Sequence, residues 1–296
     1  MAIEGFEQRR IATNGIELSV HIAGRGPALV LLHGFPQNHH CWAQIAPQLA
    51  QMFQVIVPDL RGYGESDAPS DDPRHETYSK RQMALDIVGL LDALGIERAH
   101  IVGHDRGARV AYRFALDHPL RIDRLGILEV VATADFWAAW SAELAFAAYH
   151  WTFLAQPAPL PERMIAADGA GYIDWTLASW TKSKSLDAFP AAALESYRAQ
   201  GRDPVRVAAM CADYRAGAFY DRQLDEADTA KRAKIAAPLL FLWAEEGFPD
   251  RTGAPLSLWQ KWASQVEGQS IPGSGHFLLD EAPEAILTAL ELFLRA

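Results

Sequence analysis

The sequence predicts an α/β protein, in which a mostly parallel sheet is flanked by helices and interrupted by an inserted helical region. In the first 131 residues, short apolar runs alternate with stretches of helical periodicity. From residue 134 to residue 225 the strand-like runs stop and helical spacing continues alone. Alternating strands and helices are typical of a parallel sheet covered on both faces. With 296 residues, the chain is long enough to bury a sizeable core.

The predicted strands are apolar runs, and the predicted helices repeat apolar residues every three or four positions. The strands are residues 16–22, 28–32, 55–57, 99–102, 125–131, 238–243 and 268–271. The helices that position the motifs described below are residues 79–94, 106–117 and 282–294. The change of pattern predicts a core of residues 1–133 and 226–296, and a helical cap of residues 134–225, which is too long to be a loop.

The charge balance excludes some classes of partner. Lys and Arg total 27 against 37 Asp and Glu, which gives a formal net charge of −10. We therefore expect neither nucleic acid nor a membrane surface as the partner, because both require a basic footprint. At first the acidic balance also disfavours an anionic substrate. Net charge acts at long range, however, and does not describe the charge inside a site.

Neither secretion nor cofactor binding is indicated by the sequence. Two cysteines, Cys41 and Cys211, cannot build a disulfide framework, and no apolar run reaches the length of a membrane span. Residues 1–10 contain no apolar signal-peptide segment. Metal-ligand spacings and phosphate-binding glycine motifs are absent from the sequence. We expect a cytoplasmic enzyme that uses no metal and no organic cofactor.

The most informative motif is GHDRG at residues 103–107, which has the form G-x-D-x-G between a predicted strand and a predicted helix. In a nucleophile elbow, one residue occupies a sharp strand-to-helix turn, and small neighbours allow close approach of the backbone. Here that residue is Asp105. A carboxylate displaces a leaving group from a saturated carbon without a base, and activated water then hydrolyses the resulting ester. An isolated Asp105 would instead be interpreted as a helix cap.

Two further segments supply what ester hydrolysis requires. The segment HGFP at residues 33–36 follows a buried strand and has the context of an oxyanion loop, with the N–H groups of Phe35 and Arg106 as predicted donors. The segment GSGH at residues 273–276 lies in a glycine-rich loop after the last predicted strand. The chain order nucleophile, acid, histidine makes His276 the predicted base.

The acid that orients His276 is open at this stage. Glu129 lies at the end of one predicted strand, and Glu245, Glu246 and Asp250 follow the next predicted strand. Either strand end can deliver a carboxylate that holds the imidazole tautomer and stabilises the imidazolium.

Three motifs together resemble the epoxide hydrolase and dehalogenase branch of the α/β-hydrolase superfamily. They are HGFP at residues 33–36, PDLRGYGES at residues 58–66 and GHD at residues 103–105. The resemblance covers nearly the whole chain. It implies an α/β-hydrolase fold, with an eight-stranded, mostly parallel sheet and an inserted helical cap, and it suggests a homodimer.

Three further features are Asp105-Arg106-x-x-Arg109 after the elbow, His150-Trp151 in the cap and Tyr214 further on. On these residues the chain is similar, within this branch, to the fluoroacetate dehalogenases. This similarity implies hydrolysis of fluoroacetate to glycolate and fluoride, and of chloroacetate by the same route. It assigns the substrate carboxylate to Arg106 and Arg109, which are three residues apart and so lie on one face of the helix after the elbow. Two guanidinium groups beside Asp105 can clamp a small carboxylate bidentately. Epoxide hydrolases of this branch usually have tryptophan at the position of Arg106.

The same resemblance implies a halide pocket in the cap. His150, Trp151 and Tyr214 each offer an N–H or O–H donor, and Trp180 is expected to line the pocket. Without the resemblance, His150 and Trp151 would be interpreted as cap core. One position departs from the family, which usually has aspartate where this chain has Glu129. The longer side chain must fold back to reach the histidine.

Two other functions fit parts of the sequence. An epoxide hydrolase would use Asp105 with one or two cap tyrosines as acids, and Tyr149 and Tyr214 are available. A ligand receptor on a hydrolase scaffold is disfavoured, because the nucleophile and His276 are both present.

Overall fold

The computed structural model describes residues 3–295, and eight strands of this part of the chain form one sheet. The strands are β1 (Glu7–Thr13), β2 (Ile16–Ala23), β3 (Ala28–Leu32), β4 (Gln54–Pro58), β5 (Ala99–His104), β6 (Ile122–Leu128), β7 (Leu239–Ala244) and β8 (Val266–Ile271). Their order is β1-β2-β4-β3-β5-β6-β7-β8. Strand β2 is antiparallel to β1 and to β4, and the other neighbours are parallel. The mostly parallel, eight-stranded sheet predicted from the sequence is confirmed.

The helices of the described chain alternate with the strands at both ends of the sequence. They are α1 (Ala46–Leu49), α2 (Lys80–Ala93), α3 (Arg106–Asp117), α4 (Thr133–Ala138), α5 (Ala142–Ala147), α6 (His150–Leu154), α7 (Leu160–Ile165), α8 (Gly169–Trp180), α9 (Ala191–Arg202), α10 (Pro204–Ala216), α11 (Arg222–Ala230), α12 (Pro255–Trp262), α13 (Leu278–Glu281) and α14 (Pro283–Arg295). Short 3-10 turns cover His39–Trp42, Pro119–Arg121 and Asp250–Thr252, and Gly217–Asp221 is a π-helical turn. No helix of residues 3–295 is long and apolar enough to cross a bilayer.

The two faces of the sheet are covered by different helices. On one face, Val30 packs in a cluster with Ile87 of α2 and Val110 of α3, and this cluster continues into the helices after β6. On the other face, Leu31 packs in a cluster with Leu290 of α14. All five residues of β3 are buried, as expected for a strand covered on both sides.

The helices α4–α11 occupy the chain between β6 and β7, from Thr133 to Ala230. Helical structure therefore continues past residue 225, where the predicted cap ends. These helices lie over the carboxyl ends of the strands: Asp213 of α10 contacts Arg106 at the start of α3, and Trp180 of α8 contacts the loop after β8.

The structure differs most from the sequence prediction at β1 and at β6. Strand β1 was not predicted, because its residues are almost all exposed and it carries charged side chains on both faces of the sheet edge. Such charges are typical of an edge strand that must not pair with another molecule. The strand predicted at residues 125–131 was wrong at its end. It stops at Leu128, because Glu129 has φ 61° and turns the chain out of the sheet.

Candidate active site

The turn between β5 and α3 has the geometry of an elbow. Asp105 connects the two elements with φ 47° and ψ −115°, a conformation that is rare for any residue other than glycine. A Cβ atom on Gly103 would lie 2.4 Å from the carbonyl oxygen of Gly107, so the turn requires glycine there. This strained turn places the Asp105 side chain at the carboxyl edge of the sheet, beneath the helices that follow β6.

The two carboxylate oxygens of Asp105 have different surroundings. Oδ1 accepts a hydrogen bond of 2.9 Å from the backbone N–H of Phe35, the donor predicted from the oxyanion loop. Oδ2 lies 3.7 Å from His276 Nε2. One oxygen is therefore held by the loop, whereas the other faces the histidine. The N–H of Arg106 as a second oxyanion donor stays a prediction.

Asp105 is ionised in this environment. Burial raises the pKa of the carboxyl, but His276, His104 and the two arginines of α3 outweigh this effect. The pKa of Asp105 is consequently lowered from its ordinary value. An ionised carboxylate is the form that can attack carbon without a base.

The loop after β8 positions His276 by its backbone. Its N–H donates to the carbonyl of Trp180 at 2.9 Å, and its own carbonyl accepts from His104 Nε2 at 2.8 Å. The imidazole is buried, and burial lowers the pKa of His276, so the ring is neutral at neutral pH. Neither ring nitrogen has a hydrogen-bond partner among the described residues. A neutral, unpartnered imidazole facing Asp105 is suited to activate a water molecule.

Glu129 is the carboxylate that the structure brings to His276. Its Oε1 lies 3.7 Å from His276 Nδ1, a distance that catalytic hydrogen bonds often shorten once substrate is bound. The side chain folds back over the end of β7 and accepts hydrogen bonds from the N–H groups of Ala244 at 2.6 Å and Phe248 at 3.1 Å. A Cβ on Gly247 would lie 2.0 Å from Glu129 Oε1. Because Gly247 has no side chain, it leaves space for the carboxylate of Glu129, which is longer than the aspartate that the family usually has at position 129.

The other three carboxylates considered in the sequence lie away from the histidine. Glu245, Glu246 and Asp250 are exposed, and Glu246 forms an ion pair of 2.8 Å with Lys182. In contrast, Glu129 is buried, and burial raises its pKa well above the ordinary value despite its two backbone donors.

Arg106 does not present its guanidinium fork to a ligand, which alters the clamp predicted from the sequence. Its Nε donates to Asp213 Oδ2 at 3.0 Å, and its Nη2 donates to Asp213 Oδ1 at 2.6 Å. The guanidinium carbon lies 4.3 Å from the centre of the Tyr214 ring. Only Nη1 is buried without a hydrogen-bond partner among the described residues.

Arg109 lies closer to the nucleophile's cavity. Its Nη1 donates to the carbonyl of Val131 and to Thr133 Oγ1, each at 3.0 Å. Its Nε is buried without a hydrogen-bond partner among residues 3–295. The guanidinium carbon lies 4.6 Å from the centre of the Trp151 ring, on the side of the cap. Arg109 is thus a fixed cation whose Nε–H is free to donate a hydrogen bond to a ligand.

The predicted halide residues surround the same place. His150 and Trp151 begin α6, and Tyr214 lies in α10. The Tyr214 ring packs edge-on against Phe35 and His150, with centres 5.1 and 5.4 Å apart. His150 Nδ1 and Tyr214 Oη are buried without hydrogen-bond partners among the described residues. Burial lowers the pKa of His150 well below its ordinary value, so its ring is neutral.

A small cavity joins these groups. It has a volume of about 10 Å³, close to the least that holds one water molecule. The residues that line it come from the core and from the helices after β6, and they include Asp105, Arg109, Glu129, Phe136, His150, Trp151, Phe248 and His276. Arg106 and Tyr214 are not among the residues that line it. In this conformation the cavity holds no more than one water molecule, so a substrate can enter only if side chains of the lining move.

A wider cleft of about 430 Å³ lies next to the cavity. His276 and Phe248 line both spaces, whereas Trp180 and Tyr149 line the outer cleft. The Trp180 ring lies 4.2 Å from the ring of His150 and 5.4 Å from that of His276. Trp180 thus lines the outer cleft and contacts the rings of His150 and His276, which line the cavity. Tyr149 does not join Tyr214 at the nucleophile.

Sequence reasoning missed the group that holds Arg106. Asp213 lies 107 positions from Arg106 in the chain, and no local motif marks it. Lys80, at the start of α2, and Tyr63 also bind the Asp213 carboxylate. The adjacent Tyr214, which the resemblance did identify, is the only sequence signal near it. Among residues 3–295, no group of three or more potential metal ligands is arranged to hold a metal ion.

Comparison with known proteins places the chain in a family. A sequence model described as alpha/beta hydrolase fold matches residues 27–283. The chain belongs to the α/β hydrolase fold family. The fold, the elbow and the late histidine are those expected of a hydrolase of this family.

Relatives with different activities resemble this α/β hydrolase. A fluoroacetate dehalogenase from Burkholderia sp is 40% identical over 291 residues, which cover 98% of this chain and 94% of that protein. A soluble epoxide hydrolase from Corynebacterium sp. (strain C12) is 31% identical over 283 residues, 95% of this chain and 94% of that protein. The solved structure of a candidate epoxide hydrolase from Pseudomonas aeruginosa has a TM-score of 0.93 and 43% identity, covering 100% of this chain and 97% of that chain.

Proposed function

We propose that this α/β hydrolase is a dehalogenase of small 2-haloacids, which converts fluoroacetate to glycolate and fluoride and also accepts chloroacetate. One observation carries the proposal: the small cavity beside Asp105 is also lined by the buried Arg109. An apolar epoxide gives no reason to bury a cation there, whereas a haloacetate carries the matching carboxylate. The 40% identity to a fluoroacetate dehalogenase supports the same substrate class.

The arginines of α3 have a second task in this proposal. The nucleophile and the substrate are both anionic and repel one another in a buried site. Arg109 Nε and Arg106 Nη1, each without a partner in the described chain, bind the substrate carboxylate and offset this repulsion. The formal net charge of −10 does not oppose this binding, because salt screens surface charge within about 10 Å.

The displacement step uses the free oxygen of the nucleophile. Asp105 Oδ2 attacks the α-carbon of the haloacid, and the carbon–halogen bond breaks as an ester bond forms to the enzyme. The leaving fluoride takes hydrogen bonds from the cap donors His150, Trp151 and Tyr214. Fluoride is small and strongly solvated, so several donors must replace its water. The unpartnered Tyr214 Oη and His150 Nδ1 support this assignment.

The hydrolysis step uses the histidine and the oxyanion loop. After displacement, Oδ1 of Asp105 is the carbonyl oxygen of the ester, and it already accepts from Phe35 N–H. A water molecule attacks the ester carbon and gives its proton to His276. The imidazolium is stabilised by Glu129. The oxyanion then collapses, and the bond to the glycolate oxygen breaks as the His276 imidazolium gives its proton to that oxygen. Glycolate leaves, and loss of the remaining acid proton to solvent restores the Asp105 carboxylate.

Fluoride release tests the proposal directly. Purified protein is incubated with fluoroacetate and, in parallel, with chloroacetate, and the halide is measured by ion-selective electrodes. Release of fluoride by the wild type but not by Asp105→Asn is the expected result. Turnover of chloroacetate without fluoride release would restrict the substrate to the heavier halides. No halide from either acid would overturn the dehalogenase assignment.

An epoxide hydrolase is the second candidate, favoured by the relatives of that activity and by the free hydroxyl of Tyr214. The position of Tyr149 in the outer cleft leaves only one of the two considered tyrosines near the nucleophile. Replacement of Arg109 by methionine separates the candidates. A dehalogenase loses haloacid turnover, whereas hydrolysis of a neutral epoxide such as styrene oxide is largely unchanged.

A further inference from the structure

A buried network of charges surrounds the carboxylate of Asp213, on the cap side of Arg106. Oδ1 of Asp213 accepts from Arg106 Nη2 at 2.6 Å and from the ammonium of Lys80. Oδ2 accepts from Arg106 Nε at 3.0 Å and from the hydroxyl of Tyr63 at 2.8 Å. Arg106 Nη2 also donates to the backbone carbonyl of Asp213 at 2.7 Å. All four groups are at most 1% exposed.

The network leaves Arg106 a single orientation. Two of its three nitrogens are bound by Asp213, and one face of the guanidinium lies against the Tyr214 ring. On another side, the backbone of Gly217 is so close that an added Cβ would lie 3.1 Å from Nη2 and 3.3 Å from Nη1. Gly217 begins the π-helical turn after α10, a type of irregularity common at functional sites. Nη1 is the nitrogen that remains free.

Asp213 is ionised in this network. Burial raises the pKa of its carboxyl, but Arg106 and Lys80 outweigh this effect and lower the pKa well below the ordinary value. Lys80 in turn lies 3.7 Å from Asp221. The two buried cations thus face two buried carboxylates, which is the pairing that buried charges require.

We propose that Asp213 is a positioning residue for substrate binding: it holds Arg106 so that Nη1 alone points to the substrate carboxylate and the guanidinium supports the halide donor Tyr214. This inference deepens the proposed function and rests on it. Arg106 then contributes one hydrogen bond from a fixed position, and Arg109 contributes the second. The substrate carboxylate is bound between two arginines rather than by the fork of one.

A double-mutant cycle tests this role, because residues that act through one another are not additive. We compare Asp213→Asn, Arg106→Met and the double variant for KM, for kcat and for the rate of ester hydrolysis in a single turnover. Asp213→Asn is expected to raise the KM for fluoroacetate at least tenfold and to leave the ester hydrolysis rate unchanged. The double variant is expected to have the KM of Arg106→Met. A wild-type KM in Asp213→Asn, or effects that simply add, would overturn the inference.

A second variant covers the case in which Asp213→Asn does not fold. Gly217→Ala adds no charge and removes none, but its methyl group presses on the guanidinium of Arg106. We expect a raised KM with unchanged ester hydrolysis, and an unchanged KM would contradict the inference. Asp86→Asn is the matched control, because it breaks another buried ion pair, with Arg61, away from the site.

The inference and the proposed function fail in distinguishable ways. If the wild type releases no halide from any haloacid, the proposed function is wrong. Binding of acetate to the wild type and to Asp213→Asn, measured by calorimetry, then still shows whether Asp213 sets carboxylate affinity. Equal acetate affinities would overturn the role of Asp213. A weaker affinity in Asp213→Asn alone, with Asp86→Asn unchanged, supports it.

Discussion

Replacement of Glu129 by glutamine removes the carboxyl group that faces His276, and with it the charge that opposes the imidazolium during hydrolysis, which should uncouple the two chemical steps. At 3.7 Å and an effective dielectric constant of about 20, an ion pair with the imidazolium is worth about 4 kcal/mol. Loss of this energy in the hydrolysis transition state slows that step by about 10³-fold. The displacement by Asp105 does not use Glu129 and is expected to continue. The variant should therefore accumulate the ester.

Burst kinetics and mass spectrometry measure this accumulation. Glu129→Gln should release about one equivalent of fluoride per enzyme rapidly and then turn over slowly. The intact protein should gain the mass of one carboxymethyl group, located on Asp105. Glu245→Gln and Asp250→Asn are controls, because both side chains are exposed and away from His276. Wild-type turnover in Glu129→Gln, or ester accumulation in a control instead, would refute the assignment of the acid.

The remaining predictions concern pH, packing and the halide. Ester hydrolysis needs neutral His276 and ionised Glu129; burial lowers the pKa of the first and raises that of the second. As pH falls, protonation of this pair stops ester hydrolysis. Asp105 still reacts, because its pKa is lowered. Samples quenched at acid pH should therefore contain more ester than samples quenched at neutral pH. Gly247→Ala should displace the Glu129 carboxylate, because the added Cβ would lie 2.0 Å from Oε1. We expect kcat to fall at least tenfold and a burst of halide release to appear. A steady-state rate equal to that of the wild type would contradict this prediction. Tyr214→Phe should reduce turnover of fluoroacetate more than that of chloroacetate, by about tenfold in the ratio of kcat/KM, since fluoride depends more on donors; an unchanged ratio would remove Tyr214 from the halide site.

The sequence predicted those parts of the fold and of the site that are determined by local motifs. The strand, elbow and helix around Asp105 lie within one continuous segment, and their glycines are required by the close approach of the backbone. The loop that carries Phe35 is likewise marked by its own motif. Strand β1 could not be predicted, because its exposed residues show no alternation between apolar and polar positions.

Contacts between residues that are far apart in the sequence could be identified only from the structure. From the sequence, any of four carboxylates could orient His276. The structure identifies Glu129, because its side chain folds back over the end of β7. The partner of Arg106 depends on how the helices after β6 lie over α3, which no pattern near Asp213 reveals. The structure also separates Tyr149 from Tyr214, since one faces the outer cleft and the other packs on Phe35.

A single turnover in ¹⁸O-labelled water tests the central claim, that Asp105 forms an ester that water then hydrolyses. With enzyme in excess over fluoroacetate, the glycolate should contain oxygen of normal mass, and the label should appear in the peptide that contains Asp105. Label in the glycolate after this first turnover would show direct attack of water on the substrate carbon. That result would contradict the covalent mechanism.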